Sequence, residues 1–286
     1  MKKNKRSIQF TVLTLFPDLI QNYLSDALLS KAILQKRIQV KVVSLRQFAQ
    51  GRYKSIDDVP YGGGDGMVFK ASVLESAMDS LQKNSHTKKK VIYLSPQGKT
   101  WNHELAKKMA IEWSAQVTDE DLEIQLDQEV ILICGRYAGI DQRFIQKCVD
   151  EEISIGDYVL SGGELAALVM IESISRYVPG VLGDENSAHL DSFEDGHSLE
   201  APQFTKPQVW SGKNVPEVLA SGNHAKIAEW KKNVAALVTF KKRPDLFAAG
   251  FKKEKLQSLI LFYDSLSESD KEVLQLNELH LKRNNQ

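Results

Sequence analysis

Two glycine-bearing clusters carry the residue types and the spacing of a small-molecule pocket. The first reads CGRYAGID over 134–141, and the second reads EISIGDYVLSGGE over 152–164. Glycine permits positive φ angles and a close approach of the backbone to another molecule. Strand-forming hydrophobic residues between such glycines are typical of ligand pockets at the ends of strands. Together the clusters predict a backbone-walled pocket, with a pair of tight turns as the alternative interpretation.

A single basic residue stands in the acidic stretch that follows. From 150 to 200 the chain has 12 aspartates and glutamates, and its one basic residue there is Arg176. From 201 to 286 it has 14 lysines and arginines against 9 acids. An arginine in acidic surroundings either forms a structural ion pair or holds an anionic or electron-rich ligand. An acidic segment therefore precedes a basic, helix-rich tail.

Alternating strands and helices must position these residues. The periodicity of the hydrophobic residues predicts strands over 8–15, 38–45, 91–94, 130–134 and 158–160. It predicts helices over 17–35, 71–81, 103–113, 141–149 and 163–177. This rhythm is typical of an α/β domain with a parallel sheet, which we assign to 1–182.

The rest of the chain divides into a linker and a helical tail. The segment 183–199, GDENSAHLDSFEDGHSL, has no periodicity and is acidic, so we predict a flexible linker. Asn223 is the predicted N-cap of a long helix, and further helices are predicted over 253–263 and 268–281. The second domain, 200–286, is therefore predicted to be small and all-helical.

Composition and failed motifs narrow the function. A chain of 286 residues with net charge zero and 42% hydrophobic residues is ordinary for one large or two modest globular domains. Two cysteines and no apolar run of about 20 residues predict a cytoplasmic protein without a membrane span. A P-loop is excluded because the position of its first glycine is occupied by Tyr93. Ser161 lacks the preceding glycine of a nucleophile elbow, and the histidines and cysteines do not have the spacing of zinc ligands.

Seven motifs in order carry a family resemblance. They are SIDDVPYGGGDGM, VIYLSPQG, ILICGRYAGIDQR, EEISIGDYVLSGGELAAL, ISRYVPGVLG, LDSF and SGNHAKIAEW, within a span from 8 to 261. This set closely resembles the bacterial tRNA (guanine-N1)-methyltransferases of the TrmD type. The resemblance implies methylation of guanosine 37, next to the anticodon, with S-adenosylmethionine as methyl donor.

The resemblance also implies a fold and a donor site. Members of this family have the SPOUT fold, a parallel α/β sheet with a trefoil knot that holds the bent donor. The positions that match the family's donor contacts are Pro96, Gln97, Gly135, Ser154, Ile155, Gly156, Asp157, Tyr158, Val159, Leu160, Gly162 and Gly163.

The reaction sets the demands on the catalytic residues. Loss of the proton on guanine N1 places negative charge on O6, so the reaction needs a base at N1 and a cation or donor at O6. The family's catalytic aspartate and arginine match Asp191 and Arg176. A helix N-cap and an ion pair are their respective alternatives. An ordinary aspartate, with a pKa of about 3.9, is a weak base, so O6 must be stabilised or proton loss must be concerted with methyl transfer.

One departure concerns metal binding. The family's dependence on Mg²⁺ fits stabilisation of O6, but the family often has a glutamate where this chain has Ala138. Either a nearby acid such as Asp141 or Glu164 substitutes for it, or the metal dependence differs. The metal ligands therefore stay unassigned.

The tRNA anticodon arm is the expected partner. Phosphates could bind the basic helical tail, with Lys241 and Arg243 as candidates, or these residues form an ordinary solvated helix face. Asp57 matches a family position that reads guanosine 36, and its alternative role is that of a turn residue. The family also implies a homodimer whose active site combines residues of both subunits. The alternatives are another SPOUT methyltransferase that acts on a different RNA nucleotide and a non-catalytic RNA-binding relative.

Overall fold

The chain forms two compact units in a computed structural model. The structure describes residues 5–25, 27–49, 54–82, 88–117, 128–182, 191–251, 253–277 and 279. The first unit is Met1–Glu185 and the second is Asn186–Gln286. Each unit has its own hydrophobic core, so each is described by itself.

The first unit alternates strands with helices. Its strands are β1 (Lys5–Thr14), β2 (Ile38–Ser44), β3 (Asp57–Asp58), β4 (Val68–Phe69), β5 (Lys88–Thr100), β6 (Ser114–Val117), β7 (Gln128–Cys134) and β8 (Glu151–Ser154). Its helices are α1 (Pro17–Leu24), α2 (Ala27–Leu34), α3 (Ala71–Gln82), α4 (His103–Trp113), α5 (Gln142–Cys148) and α6 (Glu164–Ser175), with a 3-10 turn at Leu45–Phe48.

Five strands form the parallel centre of the sheet, in the order β2-β1-β7-β5-β8. Side chains alternate between the two faces of each strand. On β1, Phe10 and Val12 therefore enter the core under α1, α2, α4 and α6, whereas Leu13 enters the core under α3 and α5. This arrangement confirms the predicted α/β class with a mainly parallel sheet. The strand β6 pairs antiparallel with the start of β1, which the prediction missed.

Two predicted elements of this unit are wrong. The predicted helix 17–35 is two helices, because Ala27 has a φ of 54° and breaks the continuous hydrogen-bonding pattern. The predicted strand 158–160 is a loop. Gly156 has a φ of 149° and the N–H of Tyr158 donates to its carbonyl, so the chain turns back instead of extending along the sheet.

Strand β5 leaves the sheet for four residues and then returns to it. Leu94 pairs with Ile153 of β8, and so does Lys99. Residues 95–98 are therefore looped out of the ladder at the C-terminal end of the sheet. The N–H of Trp101 then donates to the carbonyl of Ser154 at 2.7 Å. The excursion is thus held at both ends by the same short strand.

The second unit packs helices around a separate core. They are α7 (Glu217–Ala220), α8 (His224–Lys242), α9 (Pro244–Gly250), α10 (Lys253–Ser265) and α11 (Glu268–Val273). The predicted N-cap is confirmed, since Asn223 Oδ1 accepts from the N–H of Lys226. Among the described residues, neither α8, the longest helix, nor any other could cross a membrane.

The prediction of an all-helical second unit misses a hairpin. Strands β9 (Val209–Trp210) and β10 (Lys213–Asn214) pair antiparallel. Ser211 and Gly212 connect them with φ angles of 54° and 77°, the left-handed conformation that two-residue hairpin turns require. Strands of two residues are too short for their alternation to be recognised in the sequence.

Candidate functional site

Three loops at the C-terminal end of the first unit's sheet enclose a pocket of about 290 Å³. They are the excursion of β5, the loop after β7 and the loop after β8. The lining residues are Tyr93, Leu94, Ser95, Pro96, Gln97, Gly135, Arg136, Tyr137, Ala138, Gly139, Ile153, Ser154, Ile155, Gly156, Tyr158, Val159, Leu160, Ser161, Gly162, Gly163 and Ala166. Both glycine clusters of the sequence therefore contribute to one cavity.

Glycines allow these loops to pass each other at backbone distance. A Cβ on Gly98 would lie 2.3 Å from the carbonyl carbon of Glu152. A Cβ on Gly163 would lie 2.8 Å from the Cα of Cys134. Both distances are shorter than any normal van der Waals contact, and a backbone cannot move aside as a side chain can. The pocket walls consequently depend on the absence of side chains at these two positions.

The structure brings most of the predicted donor-binding residues together. Eleven of the twelve line the pocket: Pro96, Gln97, Gly135, Ser154, Ile155, Gly156, Tyr158, Val159, Leu160, Gly162 and Gly163. Asp157 lies exposed in the same loop and outside the lining. What these residues bind stays a prediction.

A buried ion pair next to the pocket was not predicted. Arg136 lines the pocket, and its Nη2 lies 3.0 Å from Oε2 of Glu164, a residue only 2% exposed. Thr14 Oγ1 donates to the other oxygen of Glu164 at 2.7 Å, and the guanidinium lies over the ring of Phe16 at 4.3 Å. Within the described part of the chain, Oε2 accepts no well-aligned hydrogen bond. Arg136 Nε does donate to Oε1 of Glu164 at 3.4 Å, so the pair is held by charge and by one long hydrogen bond.

Burial makes two other groups poor proton donors, Tyr93 in the pocket wall and Cys134 behind it. Burial, together with the charge of Glu152, raises the pKa of Tyr93 above its usual value. Burial also raises the pKa of the Cys134 thiol well above its usual value, and Glu164 adds to the effect. A thiol with a raised pKa is rarely a thiolate, so Cys134 is unsuited to act as a nucleophile.

The predicted catalytic residues lie in different units. Arg176 caps the C-terminal end of α6, where its N–H donates to the carbonyl of Glu172, and its side chain is half-buried. Asp191 opens the described part of the second unit and is also half-buried. Both residues have further interactions within the protein.

The loop after Asp191 is built around a second aspartate. Asp195 accepts hydrogen bonds from the N–H groups of His197 and Ser198 and from Ser198 Oγ. Partial burial raises the pKa of Asp195, but these hydrogen bonds and the His197 ring outweigh it, so the pKa lies below its usual value. Leu199 N–H donates to Thr239 Oγ1 of α8. Of the predicted linker, 191–199 is thus hydrogen-bonded, whereas 183–190 lies outside the described residues.

The residues predicted to contact RNA are distributed over both units. Asp57 lies in the β3–β4 hairpin. Lys241 Nζ donates to the carbonyl of Gln275, and Arg243 forms a two-pronged ion pair with Asp245 at 2.9 and 2.6 Å. An RNA phosphate would have to share these two cations with their present partners. Their predicted role stays untested.

The candidate metal ligands do not converge. Over the described ranges, no group of three or more histidine, cysteine, aspartate and glutamate side chains is arranged to hold a metal ion. Ala138 lines the pocket, and Asp141 is paired with Arg143, whose hydrogen bonds hold the pKa of Asp141 below its usual value. Glu164 is committed to Arg136.

Known proteins resemble this chain over most of its length. A family model described as tRNA (Guanine-1)-methyltransferase TrmD matches residues 8–249. A protein of Ruminiclostridium cellulolyticum named tRNA (guanine-N(1)-)-methyltransferase is 42% identical over 240 residues, which are 84% of this chain and 96% of the relative. The proteins of the same name from Hahella chejuensis and Burkholderia vietnamiensis are 44% and 41% identical, over 84% and 89% of this chain and 86% and 91% of their own lengths.

Proposed function

We propose that this chain, which belongs to the tRNA (guanine-1)-methyltransferase family of the TrmD type, transfers a methyl group from S-adenosylmethionine to N1 of guanosine 37 in tRNA. The observation that carries the proposal is the convergence of eleven predicted donor-binding residues on one pocket. A cytoplasmic location follows from a tRNA substrate and is part of the proposal.

The pocket's walls fit an adenosyl donor. Backbone N–H and carbonyl groups of the loops can hydrogen-bond the adenine edge, and Leu160 and Ile155 give it apolar surface. Among the described lining residues the one formal charge is that of Arg136, and Glu164 offsets it at 3.0 Å. A sulfonium donor therefore meets no uncompensated cation in the pocket. The donor, when bound, supplies an electrophilic methyl group that needs no acid to leave.

Two residues of the chain are proposed to accept the N1 proton and to stabilise the resulting charge on O6. In the proposed mechanism Asp191 accepts the N1 proton while the Arg176 guanidinium stabilises the charge that develops on O6. Because an ordinary aspartate is a weak base for this proton, the stabilisation of O6 must lower the barrier or proton loss must accompany methyl transfer. Any requirement for Mg²⁺ is left to experiment, since Ala138 offers no ligand.

The proposed active site is shared between two copies of the chain. Exposed apolar side chains on neighbouring helices support a homodimer, among them Leu19 and Tyr23 of α1 and Leu165 and Val169 of α6. We further propose that the pocket loops form the trefoil knot of the SPOUT fold. The backbone contacts at Gly98 and Gly163 support such a crossing, because threaded segments must pass without side chains between them.

Methyl transfer to defined transcripts tests the function. We expect methylation of a tRNA transcript with guanosine at 36 and 37, less with adenosine at 36, and none with adenosine at 37. Product mapping to N1 of guanosine 37 would establish the site. Activity on adenosine 37, or on a different RNA only, would contradict the proposal. The same assay with Mg²⁺ and with a chelator would define the metal requirement.

A further inference from the structure

A second concave surface lies on the second unit, away from the predicted phosphate contacts Lys241 and Arg243. This groove has a volume of about 440 Å³. It is lined by Pro202, Gln203, Phe204, Thr205, Lys206, Gln208, Val215, Leu219, Ala220, Ile227 and Lys231. The lining contains two lysines, no acid and several apolar side chains. The groove therefore combines positive charge with surface on which a flat apolar group can rest.

The β9–β10 hairpin extends one wall of this groove. Val215 N–H donates to the carbonyl of Gln208, so these two lining residues form the base of the hairpin. Trp210 pairs with Lys213 two residues further along each strand. Since side chains alternate along a strand, Trp210 and Lys213 project on the same side as the groove residues.

Trp210 is unusually exposed for its type. It is 74% accessible to solvent, although tryptophan is highly buried on average. The turn through Ser211 and Gly212 fixes the hairpin that presents it. Lys213, the partner of Trp210 across the hairpin, forms an ion pair with Glu272 at 3.4 Å. Among the described residues neither Lys206 nor Lys231 forms a salt bridge, so these two cations are available to an anion. An exposed indole on the hairpin that walls a groove with free cations is a combination suited to unpaired nucleotides.

We propose that Trp210 and the adjoining groove form a stacking platform for an unpaired tRNA nucleotide, with Lys206 and Lys231 contacting its flanking phosphates. The proposal deepens the proposed function and rests on tRNA being the substrate. Lysines alone would hold a duplex backbone as well, whereas the exposed indole adds a preference for a base that is free to stack. The surface would thus read the presence of a loop nucleotide rather than its identity.

The test compares two residues of one strand. In Trp210→Ala we expect the Kd for a fluorescently labelled tRNA transcript, and the KM for tRNA, to rise about tenfold, with kcat and the KM for the methyl donor unchanged. Trp210→Phe should restore most of the affinity, because a phenyl ring also stacks. Val209→Ala is the matched control, since Val209 is 54% exposed but projects from the opposite side of the strand. It should leave both constants unchanged.

The lysines are tested by salt dependence. The double variant Lys206→Gln/Lys231→Gln should weaken binding and lower the slope of log Kd against log salt by about two. An unchanged Kd for Trp210→Ala, with thermal unfolding like that of the parent, would overturn the proposal. A change in oligomeric state in sedimentation would also overturn it, because the surface would then join copies of the chain. Failure of the parent to methylate guanosine 37 would instead refute the proposed function, and the binding measurement would still decide the role of the groove.

Discussion

The pocket of the first unit is built mainly from backbone, whereas the groove of the second unit is built mainly from side chains. Backbone segments wall the pocket, and glycines set how closely those segments pass. Lysine, tryptophan and glutamine side chains shape the groove and its hairpin. A backbone wall suits a ligand of fixed shape, whereas long side chains suit a flexible polyanion that binds mainly by charge. This difference fits the proposal that the first unit binds a small donor and the second unit binds RNA.

The largest expected effect separates donor binding from chemistry. Asp191→Asn keeps the shape of the side chain but removes the proposed base, so kcat should fall by about 10²–10⁴-fold. Donor affinity, measured by calorimetry, should stay the same because the donor pocket belongs to the first unit. Glu200→Gln, an exposed carboxylate nearby in sequence, should retain activity. Loss of donor affinity in Asp191→Asn would mean that donor binding and catalysis are not separated between the two units.

The buried ion pair tests whether the pocket also depends on side chains. Glu164→Ala should lower the free energy of unfolding by about 3–5 kcal/mol, since it leaves Arg136 half-buried without its partner. Thr14→Val removes only one hydrogen bond to the same carboxylate and should cost about 1 kcal/mol. Denaturant titration measures both. Equal costs would mean that the Arg136 pair contributes nothing to stability.

Two glycine substitutions compare a backbone wall with a side-chain wall. Gly98→Ala forces a methyl group against the Glu152 backbone and should destabilise the protein by about 2–3 kcal/mol. At Gly162 the nearest atoms belong to side chains, Nε and Cδ of Arg136 and Oε2 of Glu164, which can shift further than a backbone can, so Gly162→Ala should cost less. Chemical denaturation gives the two values, and donor titration shows whether the pocket survives. A larger loss for Gly162→Ala would contradict the backbone-wall interpretation.

The smallest expected effect concerns the loop that follows Asp191. The lowered pKa of Asp195 means that its charge stabilises the folded state above the unfolded pKa of about 3.9 and that this contribution disappears as pH falls through the lower folded pKa. Because the side chain is 46% exposed, the contribution should be below about 1 kcal/mol. Asp195→Asn should therefore lower the melting temperature slightly at pH 7 and not at pH 3. A larger difference in melting temperature at pH 3 than at pH 7 would mean that the pKa of Asp195 is raised in the folded protein rather than lowered.

The pocket was largely predictable because the two glycine clusters that form its walls are visible in the sequence. Glycines that must pass a backbone cannot be replaced cheaply, so both clusters stand out from their surroundings. The excursion of β5 was not predictable, since nothing in residues 95–98 shows that Lys99 returns to the partner of Leu94. The bond between Thr14 and Glu164 joins residues 150 positions apart, and no local pattern reports such a pairing.

The second unit was harder to predict for a different reason. Its long helix α8 has a capping residue and a sustained apolar pattern, which local physics makes recognisable. Its hairpin has only two residues per strand. Its groove is lined by Lys206 and Lys231, which are separated in the sequence by the hairpin and a helix. Surfaces that arise from tertiary proximity of ordinary residues leave little trace in a single sequence.

The central position of β1 has a consequence during synthesis. Phe10 to Leu13 pair with Val130 to Ile133, so this part of the strand edge has no partner until the ribosome has made β7. At about 5–20 residues per second, that interval is on the order of ten seconds. An apolar strand with an open edge is prone to pair with other chains, so we expect a chaperone to cover β1 during this interval. Crosslinking to nascent chains on stalled ribosomes should show that the chaperone releases β1 once β7 has emerged.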